Sequence, residues 1–169
     1  MFRAFCVSAG MLLMLTLTET AILSNIFWLP VVPDLTLIAV LYFAFNNGRL
    51  MGESLGFVSG LCMDFLTLGP FGLNCLLRTI LGYVCGLFGR SINFESVVVQ
   101  FLTGVAATLA KAFLLWCISL LYPSSVASYN VLSAAFGIEL LANGILTPVF
   151  FRVLGMFGNL VLLRPEEVG

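Results

Sequence analysis

Glu19, Asp64, Arg78, Lys111 and Glu139 are the side chains whose type and placement could do chemistry, because each stands inside a long apolar run. Two chemistries are open to such a set. The three carboxylates could form a general acid–base group, or acids and bases could pair with one another. The chain has no His, which removes Ser–His and Cys–His nucleophiles and the commonest neutral metal ligand. The five cysteines (Cys6, Cys62, Cys75, Cys85 and Cys117) are odd in number, lie in apolar stretches and form no CxxC pair. Neither a zinc site nor a disulfide framework is indicated. The bases close to the carboxylates favour ion pairing over catalysis. We therefore expect no catalytic residue, no metal site and no cofactor.

The composition says what medium those charges sit in. Of 169 residues, 61% are hydrophobic and 9% are charged, with 7 basic and 8 acidic side chains. Soluble domains carry about 25% charged residues. So few charges cannot cover a soluble domain of this length, and disorder needs the opposite composition. A formal net charge of −1 without a Lys/Arg cluster excludes a nucleic-acid surface.

A helix needs roughly 20 apolar residues to cross a bilayer. Punctuation by Pro, Gly, Asn and charge predicts six spans at about 5–28, 35–45, 50–68, 73–88, 97–122 and 129–154, in a single domain over 1–169. The first is too long for a signal peptide, is interrupted by Glu19, and precedes no small-x-small cleavage site. Arg3, Arg49, Arg90, Arg152 and Arg164 all fall on one side of this topology, and the other three loops hold no base. The positive-inside rule then makes both termini cytoplasmic and places Asp34 and the Gly69-Pro70 turn outside. With no long loop, function must reside in the helices, their lateral faces or the short turns.

A charge at a helix centre costs about 2.5–3.5 kcal/mol to insert. Such groups turn inward and pair, and the spacing suggests partners. Gly52, Gly56, Gly60 and Asp64 recur every fourth residue, as do Arg78, Gly82 and Gly86. Each set forms one helical stripe that lets backbones approach closely. Folding the two spans about Phe71 places Asp64 opposite Arg78, Gly60 opposite Gly82 and Gly56 opposite Gly86. Gly104, Ala107 and Lys111 form a third stripe, and Glu139, Asn143 and Thr147 a fourth. Folding about Ser125 brings Lys111 to Glu139 and Ala107 to Asn143. Glu19 has no cation of its own and is expected to share Lys111 or to be protonated. Asp64 lies roughly 21 Å into its span, so the polar groups gather in the outer half of the bundle. They form either an outward ligand-accessible cavity or a set of buried ion pairs that fix helix register. Pro148 should kink the last span near Gly144, which could line a cavity or merely fit the helix round its neighbours.

The stretch from Pro33 to Gly86 resembles the bacterial rod shape-determining MreD family. The matching residues are Pro33-Asp34-Leu35 leading to Tyr42, Gly56 and Gly60, Leu61 to Phe65, Gly69-Pro70-Phe71-Gly72-Leu73, and Gly82-Tyr83-Val84-Cys85-Gly86. Asn143 and Pro148 extend the pattern into the last span. Arg78 and Cys75 depart from it. The resemblance implies a multi-pass, non-enzymatic protein of the bacterial inner (cytoplasmic) membrane. Its expected fold is all-α, similar to the substrate-binding subunits of energy-coupling-factor transporters. It further implies association with MreC, and through MreC with the filament MreB and peptidoglycan synthases. Partner helices would use the stripes of Gly52, Gly56, Gly60, Gly82, Gly86 and Gly104, toward MreC or a second copy of the chain. The alternative reading is a substrate-binding membrane subunit of a vitamin-type transporter.

Overall fold

A computed structural model describes residues 2–21, 31–89, 96–123, 126 and 133–162. All regular structure among them is helical: α1 (Phe2–Ala21), α2 (Leu35–Asn47), α3 (Arg49–Leu66), α4 (Leu73–Phe88), α5 (Val97–Leu121), α6 (Ala134–Met156) and the short α7 (Gly158–Val161). Residues 22–28 and 129–132 of the expected first and last spans, the Ser125 fold point, and Arg90 and Arg164 lie outside the described residues. Three helices, α1, α5 and α6, are long and apolar enough to cross a membrane. Together with the shorter apolar helices α2 and α4, they mark a membrane protein.

The bundle is organised around α2. Apart from Thr36 in its first turn and its last two residues, its sequence, LTLIAVLYFAFNN, is apolar on every face, and a helix hydrophobic all round belongs inside. Every residue of α2 except Asn46 is buried. Its 13 residues span only about 20 Å at 1.5 Å each, short of a bilayer's hydrocarbon thickness. Wrapped by α1, α3, α4 and α6, it has no need to match lipid. Tyr42 sits in this core at 5.3 Å, edge to face, from Phe151 of α6. Asn47 closes its far end by donating to the Val161 carbonyl (2.9 Å), which ties down α7.

α3 and α4 form the closest pair, and their glycines explain why. A Cβ at Gly52 would strike the Gly82 carbonyl, one at Gly56 the Arg78 carbonyl, and one at Gly60 the backbone of Asn74 and Cys75. The stripes do face each other, but the expected register is wrong. Gly56 meets Arg78 rather than Gly86, and Gly60 meets Asn74 and Cys75 rather than Gly82. Each partner lies about two turns nearer the connection. The physical reason is the connection itself. α3 ends at Leu66, and α4 begins after Gly72, whose φ of +90° only glycine adopts without strain. The fold point therefore precedes Phe71.

α5 and α6 form the second pair. Gly104 backs against the Thr147 side chain and the Asn143 carbonyl, and Gly144 receives the Phe101 ring. α6 continues through Pro148. The Thr147 hydroxyl donates to the Asn143 carbonyl (2.6 Å) just before it. The glycines read as a partner-facing surface are thus used inside the bundle. Gly52, Gly56, Gly60, Gly82, Gly86 and Gly104 all stand against backbone or side chains of neighbouring helices. Their small size is already needed there. Gly10 of α1 and Gly137 of α6 are the helical glycines with open space where a Cβ would stand.

Candidate functional site

Asp34 precedes an apolar helix, the position where an Asp caps orphan N–H groups. It does so here: its Oδ1 accepts from the Leu37 N–H at 2.9 Å. Because α2 is internal, its cap is internal too, and Asp34 is only 5% exposed. Asp34 thus lies in the connection before α2, as expected, but its end of that connection is buried rather than open. The same Oδ1 takes the Arg78 Nη2 at 2.8 Å, and Oδ2 takes the Lys111 Nζ at 2.8 Å. Lys111 also reaches Glu139 Oε1 at 3.1 Å. Arg78, Asp34 and Glu139 side chains are all at most 7% exposed, and Lys111 is 16% exposed.

Arg78 therefore pairs with Asp34 and not with Asp64. Asp64 has a different task, one set by the slipped register. Its carboxylate lies over the start of α4, where it accepts from the backbone N–H of Gly72, Asn74 and Cys75 and from Asn74 Nδ2, all at 3.0 Å. The first turn of a helix offers unpaired donors and a partial positive charge, so a carboxylate there needs no cation.

Glu19 also caps a helix. Its Oε2 accepts the Thr36 N–H (2.9 Å) and the Thr36 hydroxyl (2.7 Å) at the start of α2. It makes no ion pair with Lys111, which corrects the first half of the expectation and leaves protonation as the other: the first turn of α2 supplies the donors. Asn143, on α6, joins the network from the other side. Its Oδ1 accepts the Asp34 N–H (2.9 Å), and its Nδ2 donates to Thr108 Oγ1 (3.0 Å). Two carboxylates from different elements thus cap α2, while bases from α4 and α5 and an amide from α6 converge on Asp34. Sequence reasoning missed Asp34 as the hub. The available signal was Pro33-Asp34 directly before an unbroken apolar run.

Of the other family-motif residues, Pro33 is buried beside Asp34, whereas Pro70 is exposed in the α3–α4 connection and Tyr83 is exposed on the outer face of α4. Gly72 donates to Asp64. Pro148 lies within α6.

Above the network is a cavity of about 580 Å³. It is lined by the charged Glu19, Asp34, Arg78, Lys111 and Glu139, by the apolar Val31, Val32, Met63, Leu66 and Leu68, and by Thr20, Thr67 and Asn74. A second, apolar groove of about 470 Å³ runs between α1 and α6, lined by Val7, Gly10, Met14, Phe150 and Val153 among others. Among the described residues, no group of three or more His, Cys, Asp or Glu side chains could hold a metal ion.

The family model described as rod shape-determining protein MreD matches residues 2–157 of the chain. No curated protein and no solved structure matches it.

Proposed function

The chain belongs to the family of the rod shape-determining protein MreD, and from that premise we propose that it is a non-enzymatic scaffold of the cell-elongation machinery. In this reading it crosses the bacterial inner membrane six times, with both termini cytoplasmic. It binds the membrane helix of MreC, and through MreC it helps couple the filament MreB to peptidoglycan synthesis. The likeness to energy-coupling-factor substrate-binding subunits belongs to the same proposal.

The observation that carries the reading is the use made of the charges. Asp34, Asp64, Arg78, Lys111 and Glu139 direct their contacts at helix ends and at each other. That is how a bundle is held in a fixed shape. A partner helix in lipid gains little from apolar contact and needs close packing. The inward glycines cannot supply it, but the α1–α6 groove at Gly10 can.

The test is copurification of MreC with the full chain and with Gly10→Leu. The fold has room for the new side chain, so the variant should elute as the unaltered chain does and retain at least tenfold less MreC. Failure of the unaltered chain to retain MreC would refute the scaffold. Undiminished retention by the variant would move the interface elsewhere.

The cavity favours one other reading, the substrate-binding subunit of a small-molecule transporter. A ligand that copurifies and enters vesicles only with an energising partner would establish it in place of the scaffold.

A further inference from the structure

The lining of the 580 Å³ cavity has an uneven charge: Glu19, Asp34 and Glu139 against Arg78 and Lys111. Fully ionised, it carries one net negative charge. Both oxygens of Asp34 are taken by bases, and Lys111 bridges Asp34 and Glu139. Glu19 differs. Both Thr36 donors fall on its Oε2, and Oε1 receives no donor among the described residues. Glu19 is 4% exposed and lines the cavity. Among the described residues, the polar side-chain atoms that are sealed from solvent and unpartnered are Ser8 Oγ and Arg78 Nη1, and Glu19 Oε1 is not one of them. A buried carboxylate oxygen without a donor is costly, and this one belongs to a residue that lines the cavity.

We propose that the cavity binds a primary ammonium group carried on a short carbon chain, with Glu19 Oε1 accepting from the ammonium. The volume is in the range of small-molecule sites. The Val31, Val32, Met63, Leu66 and Leu68 side chains suit carbon. The acids do not converge as a metal-ligand group, whereas an ammonium needs only dispersed acceptors and one compensating charge. Two sources offer this chemistry: the headgroup of an aminophospholipid drawn from the bilayer, and a soluble alkyl amine. The inference goes beyond the scaffold reading and does not depend on it.

The experiment follows thermal unfolding of the full chain in detergent at constant ionic strength. The probes are dihexanoyl phosphatidylethanolamine, dihexanoyl phosphatidylcholine and hexylammonium chloride. The ethanolamine lipid or hexylammonium should raise the midpoint by several degrees, while the choline lipid, which has no N–H, should leave it in place. A shift with the lipid alone assigns the bilayer source, and a shift with hexylammonium alone assigns the soluble one. Glu19→Gln keeps a carbonyl for Thr36 but removes the charge, and it should abolish the shift. The proposal is overturned if neither ammonium probe acts, if the choline lipid acts equally, or if Glu19→Gln retains the full response. Should that variant fail to fold, the ammonium-against-choline contrast on the unaltered chain decides alone. Retention of MreC in the same preparations reads the scaffold separately.

Discussion

Replacing Asp34 by Asn changes one oxygen to an amide and should cost far more than that exchange suggests. The side-chain carbonyl can still cap α2 at Leu37. What is lost is the charge facing Arg78 Nη2 and Lys111 Nζ, each 2.8 Å away. Lys111 keeps Glu139 at 3.1 Å. Arg78 keeps no carboxylate within ion-pair distance among the described residues, and its Nη1 is already unpartnered. Removing one member of a buried pair costs about 3–5 kcal/mol, because the survivor is left uncompensated, whereas apolar replacement of both is often neutral. For a chain of this size that corresponds to a midpoint drop on the order of 10 °C. The assay is a double-mutant cycle of Asp34→Asn, Arg78→Met and the double variant, read by thermal unfolding in detergent. The double variant should lie at least about 2 kcal/mol above the sum of the singles. Additivity within about 0.5 kcal/mol would refute the claim that these two side chains hold one another.

Asp64→Ala strips three backbone N–H groups and one amide of their acceptor at the start of α4; by the cost of a lost cap and of lost charged hydrogen bonds it should destabilise by about 2–3 kcal/mol, with faster amide exchange confined to the first turn of α4. Asn143→Leu leaves the Asp34 N–H without its acceptor and removes a donor to Thr108 Oγ1, which keeps its own bond to the Gly104 carbonyl; it should cost about 1–3 kcal/mol, measured in the same melt. Gly56→Ala drives a Cβ into the Arg78 carbonyl and should sharply reduce monodisperse protein on size exclusion. Gly10→Ala, with open space around it, should be neutral or stabilising by up to about 1 kcal/mol.

Periodicity made the stripes legible because a four-residue repeat of small side chains has one structural use in lipid. It gave the faces of α3 and α4 but not their offset, which depends on how the residues after Leu66 turn. Across α5 and α6, Lys111 and Glu139 meet, and there the stripes alone indicated which residues to compare. The hub was hidden for a different reason. The sequence places Asp34 in the connection before α2, where it lies, but depth counted from span ends gives no sign that it is buried there. That counting assumes every span crosses the full bilayer. α2 has only 13 residues and its first cap is buried, so that cap meets Lys111 inside the bundle. A 13-residue helix apolar on all faces apart from Thr36 and its last two residues carried that information, because neither lipid matching nor amphipathicity accounts for it.

The arrangement follows from what lipid cannot do. In water, apolar burial would gather these helices, but lipid is as apolar as the helix faces, so specificity must come from close backbone approach and from polar contacts. α3 and α4 use the first device, glycine against backbone. α5 and α6 add the second, Lys111 to Glu139 and Asn143 to Thr108. Neither device by itself joins one pair to the other, since α4 and α5 touch only sparingly. The join is made by α2, which packs on α3, α4 and α6, and at its cap Asp34, which receives Arg78 from α4, Lys111 from α5 and, through its own N–H, is held by Asn143 of α6. On the proposed scaffold reading, a fixed lateral surface requires the two halves to be set at one angle. A charged hub enforces that better than apolar packing, because sliding the halves apart would leave buried ions unpaired.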